Sequence, residues 1–202
     1  MIVASILGAL FFAAAGYVGA LFGSVFAERT EAFADGPEPG RAPIPVLIAA
    51  CALIGAFVTT HTGQGQVLLI AVVCTALVAI WVTDSTRGIV PDIFTLGPLG
   101  LILVIALWQH NWFAFISAAV PFVPFAIVAM LSHGRGMGWG DVKMVALGGA
   151  LLGAEISVLA FALACVAAVV LNYLRGRRHG PIAFAPYLAA AIGLAIPVGI
   201  LR

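Results

Sequence analysis

The 202-residue chain is 63% hydrophobic and 8% charged, with a formal net charge of +1, where a soluble domain carries about 25% charged residues. Apolar runs recur from end to end, which excludes a soluble globular domain and points to a polytopic membrane protein with lipid as its solvent. No basic tract is long enough to bind nucleic acid, and no such partner is expected.

Backbone groups in lipid must be satisfied within the protein, so the spans are helices or a closed barrel. The runs show no sustained apolar/polar alternation, which removes the barrel. The expected fold is an all-α membrane bundle of about eight transmembrane helices, forming one domain over residues 1–202. The predicted helices are 2–27, 44–60, 66–83, 92–108, 112–132, 140–153, 155–174 and 182–201.

The first run, MIVASILGALFFAAAGYVGALFGSVFAER, lacks a positively charged start, and its apolar stretch exceeds the 7–15 residues of a signal peptide. It reads as a retained span. Gly19 and Gly23 within it form a GxxxG pair suited to close helix contact. Residues 28–43, ERTEAFADGPEPGRAP, form the longest connection, with Glu28, Glu31, Asp35 and Glu38 as a solvated acidic surface. Cys51, Cys74 and Cys165 lie inside apolar runs without CxxC pairing, and read as small packing residues. Trp81, Trp108, Trp112 and Trp139 fall near span ends, as an interfacial belt requires. His61, His110, His133 and His179 are scattered over connections on both faces and suggest no metal site.

Arg29, Arg41, Arg87, Arg135, Lys143, Arg175, Arg177 and Arg178 all fall in or beside the first, third, fifth and seventh connections, and Arg202 alone lies opposite. The positive-inside rule then places the odd connections in the cytoplasm and both termini outside. Residues 140–153 would rise only about 21 Å as a helix, short of the roughly 30 Å hydrocarbon core. That helix is either tilted into the protein or recessed at its cytoplasmic end.

Glu155, in the outward GAE turn, is expected to cap or break a helix pair. Three acidic residues remain, Asp84, Asp92 and Asp141, all at cytoplasmic helix ends. An ionisable group at membrane depth costs about 2.5–3.5 kcal/mol on insertion scales and is a functional candidate by default. Asp92 follows Pro91 and begins a helix, where an acidic side chain caps free N–H groups. Asp84 stands at a helix C-terminus, where the dipole disfavours it, with Arg87 as the nearest compensating charge. Asp141 follows Gly136, Gly138 and Gly140, and an N-cap role is its structural alternative. Lys143 either acts on a neighbouring carboxylate or extends its amine to the interface. Two carboxyls close together cannot both ionise, so one holds a proton while the other is charged. The charged one can take a proton from a water attacking a peptide carbonyl, and the neutral one can donate to the developing oxyanion. Such chemistry needs neither metal nor cofactor.

The segment GMGWGDVKMVALGGALLG resembles the GxGD signature of the type IV prepilin peptidases, membrane-embedded aspartic proteases, with Gly138, Gly140 and Asp141 on the motif and Val142 and Lys143 continuing it. DSTRGIVPD resembles the family's other signature; this resemblance implies that Asp84 is the first catalytic aspartate, Asp141 the second, and Pro91 and Asp92 a supporting pair. GALFGSVFAER, with Gly19, Gly23, Ser24 and Arg29, is similar to the family's first helix; GPIAFAPYLAAAIG, with Pro181, Phe184, Pro186 and Tyr187, is similar to its last. The implied activity is cleavage of the basic leader from a prepilin or pilin-like precursor at the cytoplasmic face. Full-length relatives carry paired CxxC motifs for zinc after the first helix, associated with N-methylation. Residues 28–43 hold no cysteine, so a peptidase without methyltransferase activity is expected. Ala185 stands where glycine is commoner, a change not expected to abolish activity.

Two other readings compete. A presenilin-like or signal-peptide-peptidase-like protease shares the chemistry, but no PAL-like tripeptide stands near the C-terminal end. A small transporter using Asp84 and Asp141 for proton or cation coupling would be expected to show mid-membrane carboxylates and repeat symmetry; neither is apparent.

Overall fold

The computed structural model describes residues 2–30, 42–132, 137–174 and 183–200. Eight helices follow one another: α1 (Ile2–Arg29), α2 (Ile44–His61), α3 (Gln64–Arg87), α4 (Asp92–Trp108), α5 (Phe113–Leu131), α6 (Trp139–Leu152), α7 (Ala154–Leu174) and α8 (Ala185–Ile200). No strand occurs among the described residues. The helices lie where the hydropathy placed them, with two differences that matter. α3 continues to Arg87 instead of stopping at 83, and α8 starts at Ala185 instead of 182.

The end of α3 is set by Gly88, in the left-handed conformation at φ 69°, whose N–H reaches back to the Asp84 carbonyl at 2.9 Å. Thr83 and Thr86 bond their hydroxyls back to carbonyls of the preceding turn, so polar residues stay inside the helix instead of opening it. Pro91, at φ −67°, then launches α4. The connections 62–63, 88–91, 109–112 and 153 are too short for anything but reversal of direction. The end of α3 and the starts of α4, α6 and α8 therefore share one end of the bundle.

Five helices, α1, α2, α3, α5 and α7, are long and apolar enough to cross a membrane; α4 and α8 are apolar but shorter. The chain is an integral membrane protein. Of the five, α3 is the axis: 56% of its apolar window is buried, against 22–28% for the others. α1 lies along α2 and α3. A Cβ on Gly19 or Gly23 would overlap the carbonyl oxygens of Thr75 or Ala79, so the GxxxG pair does bring two backbones together, with α3 as its partner. Thr75 and Arg87 of α3 also donate to the carbonyls of Ala15 and Ala27 of α1, at 3.2 and 2.8 Å.

α6 is short but buried nearly all round, from Val142 to Leu152, with α4, α5, α7 and α8 as its neighbours. Its about 21 Å is thus enclosed by protein, which resolves the mismatch with the hydrocarbon thickness. α3 and α6 do not pack backbone against backbone; α4 and α8 each touch both. Asp84 and Asp141 sit at one end of the resulting seam between α3 and α6. Cys51 of α2 and Cys74 of α3 are buried neighbours, in keeping with small packing residues.

Candidate functional site

Asp84 is 6% exposed. Because α3 runs on to Arg87, its carboxyl stands one turn inside the helix instead of at its end. The charge expected to compensate it is engaged elsewhere, since the Arg87 Nε donates to the Ala27 carbonyl. The group that does face the carboxyl is the backbone N–H of Ala185, at the start of α8. Free N–H groups at a helix start favour negative charge. The second oxygen, Oδ2, is buried without a protein hydrogen-bond partner. Such an atom costs about 1–3 kcal/mol when left unsatisfied, and its retention asks for a reason.

Asp141 is half-buried on the first turn of α6. The N-cap is Gly138, with φ −75° and ψ 147°, not Asp141, which follows it by three positions. From there the carboxyl reaches back to the Gly138 backbone N–H, the acidic half of a capping box. Gly140 serves another purpose: a Cβ there would lie 2.6 Å from the Val90 Cβ. Its absence lets α6 close on the 88–91 turn that ends α3. Gly136 lies outside the described residues.

The two carboxyls thus stand against two different helix starts, α8 for Asp84 and α6 for Asp141. They are near enough for the charge of Asp141 to act on Asp84. The two aspartates singled out in the sequence are brought together across the α3–α6 seam.

Asp92 and Lys143 are brought together elsewhere. The Lys143 Nζ donates to Asp92 Oδ1 at 2.6 Å, with the side chains 28% and 62% exposed respectively. One reading changes here: Asp92 makes no side-chain cap, because Pro91 occupies the N-cap and Asp92 is the first residue of α4. Of the two roles open to Lys143, contact with a neighbouring carboxylate is the one seen, with Asp92 as that carboxylate, and it ties the start of α6 to the start of α4.

Sequence reasoning missed the part played by Ala185. The available signal was Pro186, one residue into an apolar run, since proline favours the first turn of a helix and marks where unbonded N–H groups lie. It also missed Asn172, buried on α7, whose amide donates to the Ala168 carbonyl at 2.7 Å and to the Tyr187 hydroxyl at 3.1 Å. That bond anchors the first turn of α8 two residues from Ala185. Among the described residues no three His, Cys, Asp or Glu side chains gather as a metal site would require. Chemically, two neighbouring carboxyls, one oxygen of them unclaimed, suit general acid–base work on a water and a carbonyl.

Comparison with known proteins bears on this arrangement. Residues 71–172, which hold both carboxyls, match the model of the type IV leader peptidase family. The prepilin leader peptidase/N-methyltransferase of Bacillus subtilis is 34% identical over 168 residues, covering 78% of this chain and 66% of that protein. The protein of the same description from Stutzerimonas stutzeri is 29% identical over 163 residues, covering 73% and 55%. Leader peptidase HopD of Escherichia coli is 32% identical over 145 residues, covering 61% and 87%. The chain spans between about half and two thirds of the two N-methyltransferase relatives. No solved structure matches it.

Proposed function

Because the chain belongs to the type IV leader peptidase family, we propose that it is a membrane-embedded aspartic endopeptidase. It removes the basic leader from type IV prepilin-like precursors, with Asp84 and Asp141 as the catalytic pair. The observation that carries this reading is the buried, unbonded Oδ2 of Asp84 beside the Asp141 carboxyl. A carboxyl kept without a cation at a cost in stability is what a general acid or base requires.

One carboxylate takes a proton from water as the water oxygen attacks the scissile carbonyl carbon. The other, holding a proton, donates to the carbonyl oxygen as it becomes an oxyanion. The tetrahedral intermediate then collapses: its hydroxyl proton returns to the second carboxylate as the C=O re-forms, the C–N bond breaks, and the leaving nitrogen receives the proton taken from water. The pair is left with one proton, as it began. Ala185 and Gly138 hold the two carboxyls in place by their N–H groups, and Gly138, Gly140, Pro91 and the Asp92–Lys143 pair support the turn and the helix starts around them.

The reaction is placed at the cytoplasmic side of the inner membrane, on the strength of the Arg and Lys residues concentrated at that end of the chain's connections. A precursor with a basic leader ahead of an apolar helix presents its junction at that depth. Residues 28–43 lack cysteine, which supports peptidase activity without N-methylation.

The test is cleavage of a co-expressed pilin-like precursor. The unaltered chain converts it to the shorter form, with no added methyl mass on the new N-terminus. Asp141→Asn leaves it uncleaved; conversion by that variant at the normal rate rules out the dyad.

A further inference from the structure

A groove of about 480 Å³ runs along the bundle between α2, α3 and α8, within the roughly 300–1,000 Å³ range of ligand pockets. Its rim carries Leu53 and Leu194, which are 74% and 79% exposed, so it opens sideways toward lipid. Its walls include the small residues Ala50, Cys51, Cys74, Ala189, Ala190 and Gly193.

The groove ends about one turn short of the carboxyl site and runs in line with it. Trp81 lines it, and Asp84 follows three residues later on the same face of α3. Ala189 lines it, and Ala185, whose N–H faces Asp84, precedes it by four residues on the same face of α8. From Ala189 to Pro197 the α8 wall rises about 12 Å away from the carboxyls and into the bundle's depth.

We infer that this groove seats the apolar helix of the substrate, the part that continues into the membrane beyond the scissile bond. The inference rests on the peptidase reading and adds to it a binding surface for the mature portion of the precursor. Helices associate in lipid by close packing rather than by a hydrophobic drive, and they do so on small residues. Most of the lining is larger apolar side chains, but on the α8 wall Ala189, Ala190 and Gly193 leave room for a helix to approach closely, which a lipid chain does not need. The position suits a helix too. A peptide whose carbonyl lies at Asp84 and whose following residues are helical has this groove beside α3 and α8 as its continuation.

Gly193 offers the decisive substitution. A Cβ there meets only the Ile54 Cδ1, at 3.7 Å, so Gly193→Phe fills the groove without displacing backbone. Two substrates are compared in the membrane-reconstituted full chain: an intact precursor, and a short peptide that spans the scissile bond but lacks the apolar helix. The variant is expected to raise KM for the precursor by about tenfold or more, the effect of one misfitted apolar group in a pocket, and to leave peptide cleavage unchanged. Precursor and peptide cleavage both unchanged would overturn the inference.

A photoreactive phenylalanine at Leu53 or Leu194 supplies an arm that does not depend on folding of the filled variant. These positions are expected to cross-link the precursor, and Leu163 and Val166 of α7, also more than half exposed, are not. Cross-links from the groove to lipid alone, or equal capture from α7, while the precursor is still cleaved, would overturn the inference. Failure of the unaltered chain to cleave either substrate would instead remove the peptidase reading itself.

Discussion

Asp84 and Asp92 flank one turn, eight residues apart, and the fold treats them in opposite ways. Asp92 is 62% exposed and bonded to Lys143 at 2.6 Å, an arrangement worth about 0–1 kcal/mol at a surface. Asp84 is 6% exposed, has no bonded partner for one oxygen, and faces a second carboxyl. In the first case the charge has found its complement; in the second the surroundings withhold one. Two carboxylates so close in sequence are separated by which helices close around them. The difference is what the proposed roles require, with Asp84 as the reacting group and Asp92 as a strut.

The strongest way to break this comparison is Asp84→Asn. Cleavage of a pilin-like precursor is expected to fall by about 10³-fold, within the 10²–10⁴ range of a general acid or base, while Asp92→Asn keeps most of it. Thermal unfolding supplies the independent readout. Asparagine still accepts the Ala185 N–H and removes a buried charge facing Asp141, so Tm should hold or rise. A collapse of Tm in parallel with activity would make Asp84 a structural residue. Loss of cleavage in Asp92→Asn with retention in Asp84→Asn would reverse the two roles.

The next effect concerns Gly140. Its Cβ in Gly140→Ala would stand 2.6 Å from the Val90 Cβ, and either α6 or the 88–91 turn must move. A shift of about 1 Å at a catalytic group costs about 10²-fold in rate, and the overpacking about 1–3 kcal/mol. Both losses should be partly reversed in the double variant with Val90→Gly, measured against Val90→Gly alone. An additive double variant would show that Gly140 matters for some reason other than this contact. Gly138, the other motif glycine, should be more forgiving. Its φ of −75° is open to any residue, and a Cβ would approach Asp141 Oδ2 at an ordinary 3.4 Å. Gly138→Ala is therefore expected to stay within about threefold of normal, since a surface-type change without overlap has a small effect. A loss as large as that of Gly140→Ala would place a further requirement on the Gly138 backbone.

The spans were legible because lipid imposes one pattern, a long apolar run, on every segment that crosses it. The pairing of Asp84 with Asp141 was legible as a shared depth, from the distribution of basic residues over alternate connections, and through the resemblance of GMGWGD and DSTRGIVPD to the family's two signatures. Their approach depends on α4 and α8 each bridging α3 and α6, and no local pattern in the sequence carries that. The end of α3 was misplaced because Asp84, Ser85, Thr86 and Arg87 resemble a polar connection. Threonine hydroxyls bonded back to the helix, and the left-handed Gly88, carry it one turn further. Asp92 looked like a cap because the residue after a proline at a helix start often is one. Its actual partner is 51 residues away, where local propensity has no reach.

The smallest effect sharpens the comparison most closely. If Asp92 and Lys143 are a strut, Asp92→Asn, Lys143→Met and the double variant should each cleave within about threefold of normal, because an exposed pair contributes about 0.2–1 kcal/mol. The coupling energy from the cycle in unfolding free energy should fall in that range and shrink as salt is raised, since Asp92 is 62% exposed. The expected sense of the residual activity loss is that both single variants resemble the double, as removing either end frees the same contact between the starts of α4 and α6. A coupling well above about 2 kcal/mol, beyond what exposed pairs supply, would mean that the pair is closed off from water when the chain works. In that event Lys143 belongs to the carboxyl site after all, and the line between the two aspartates would have to be redrawn around it.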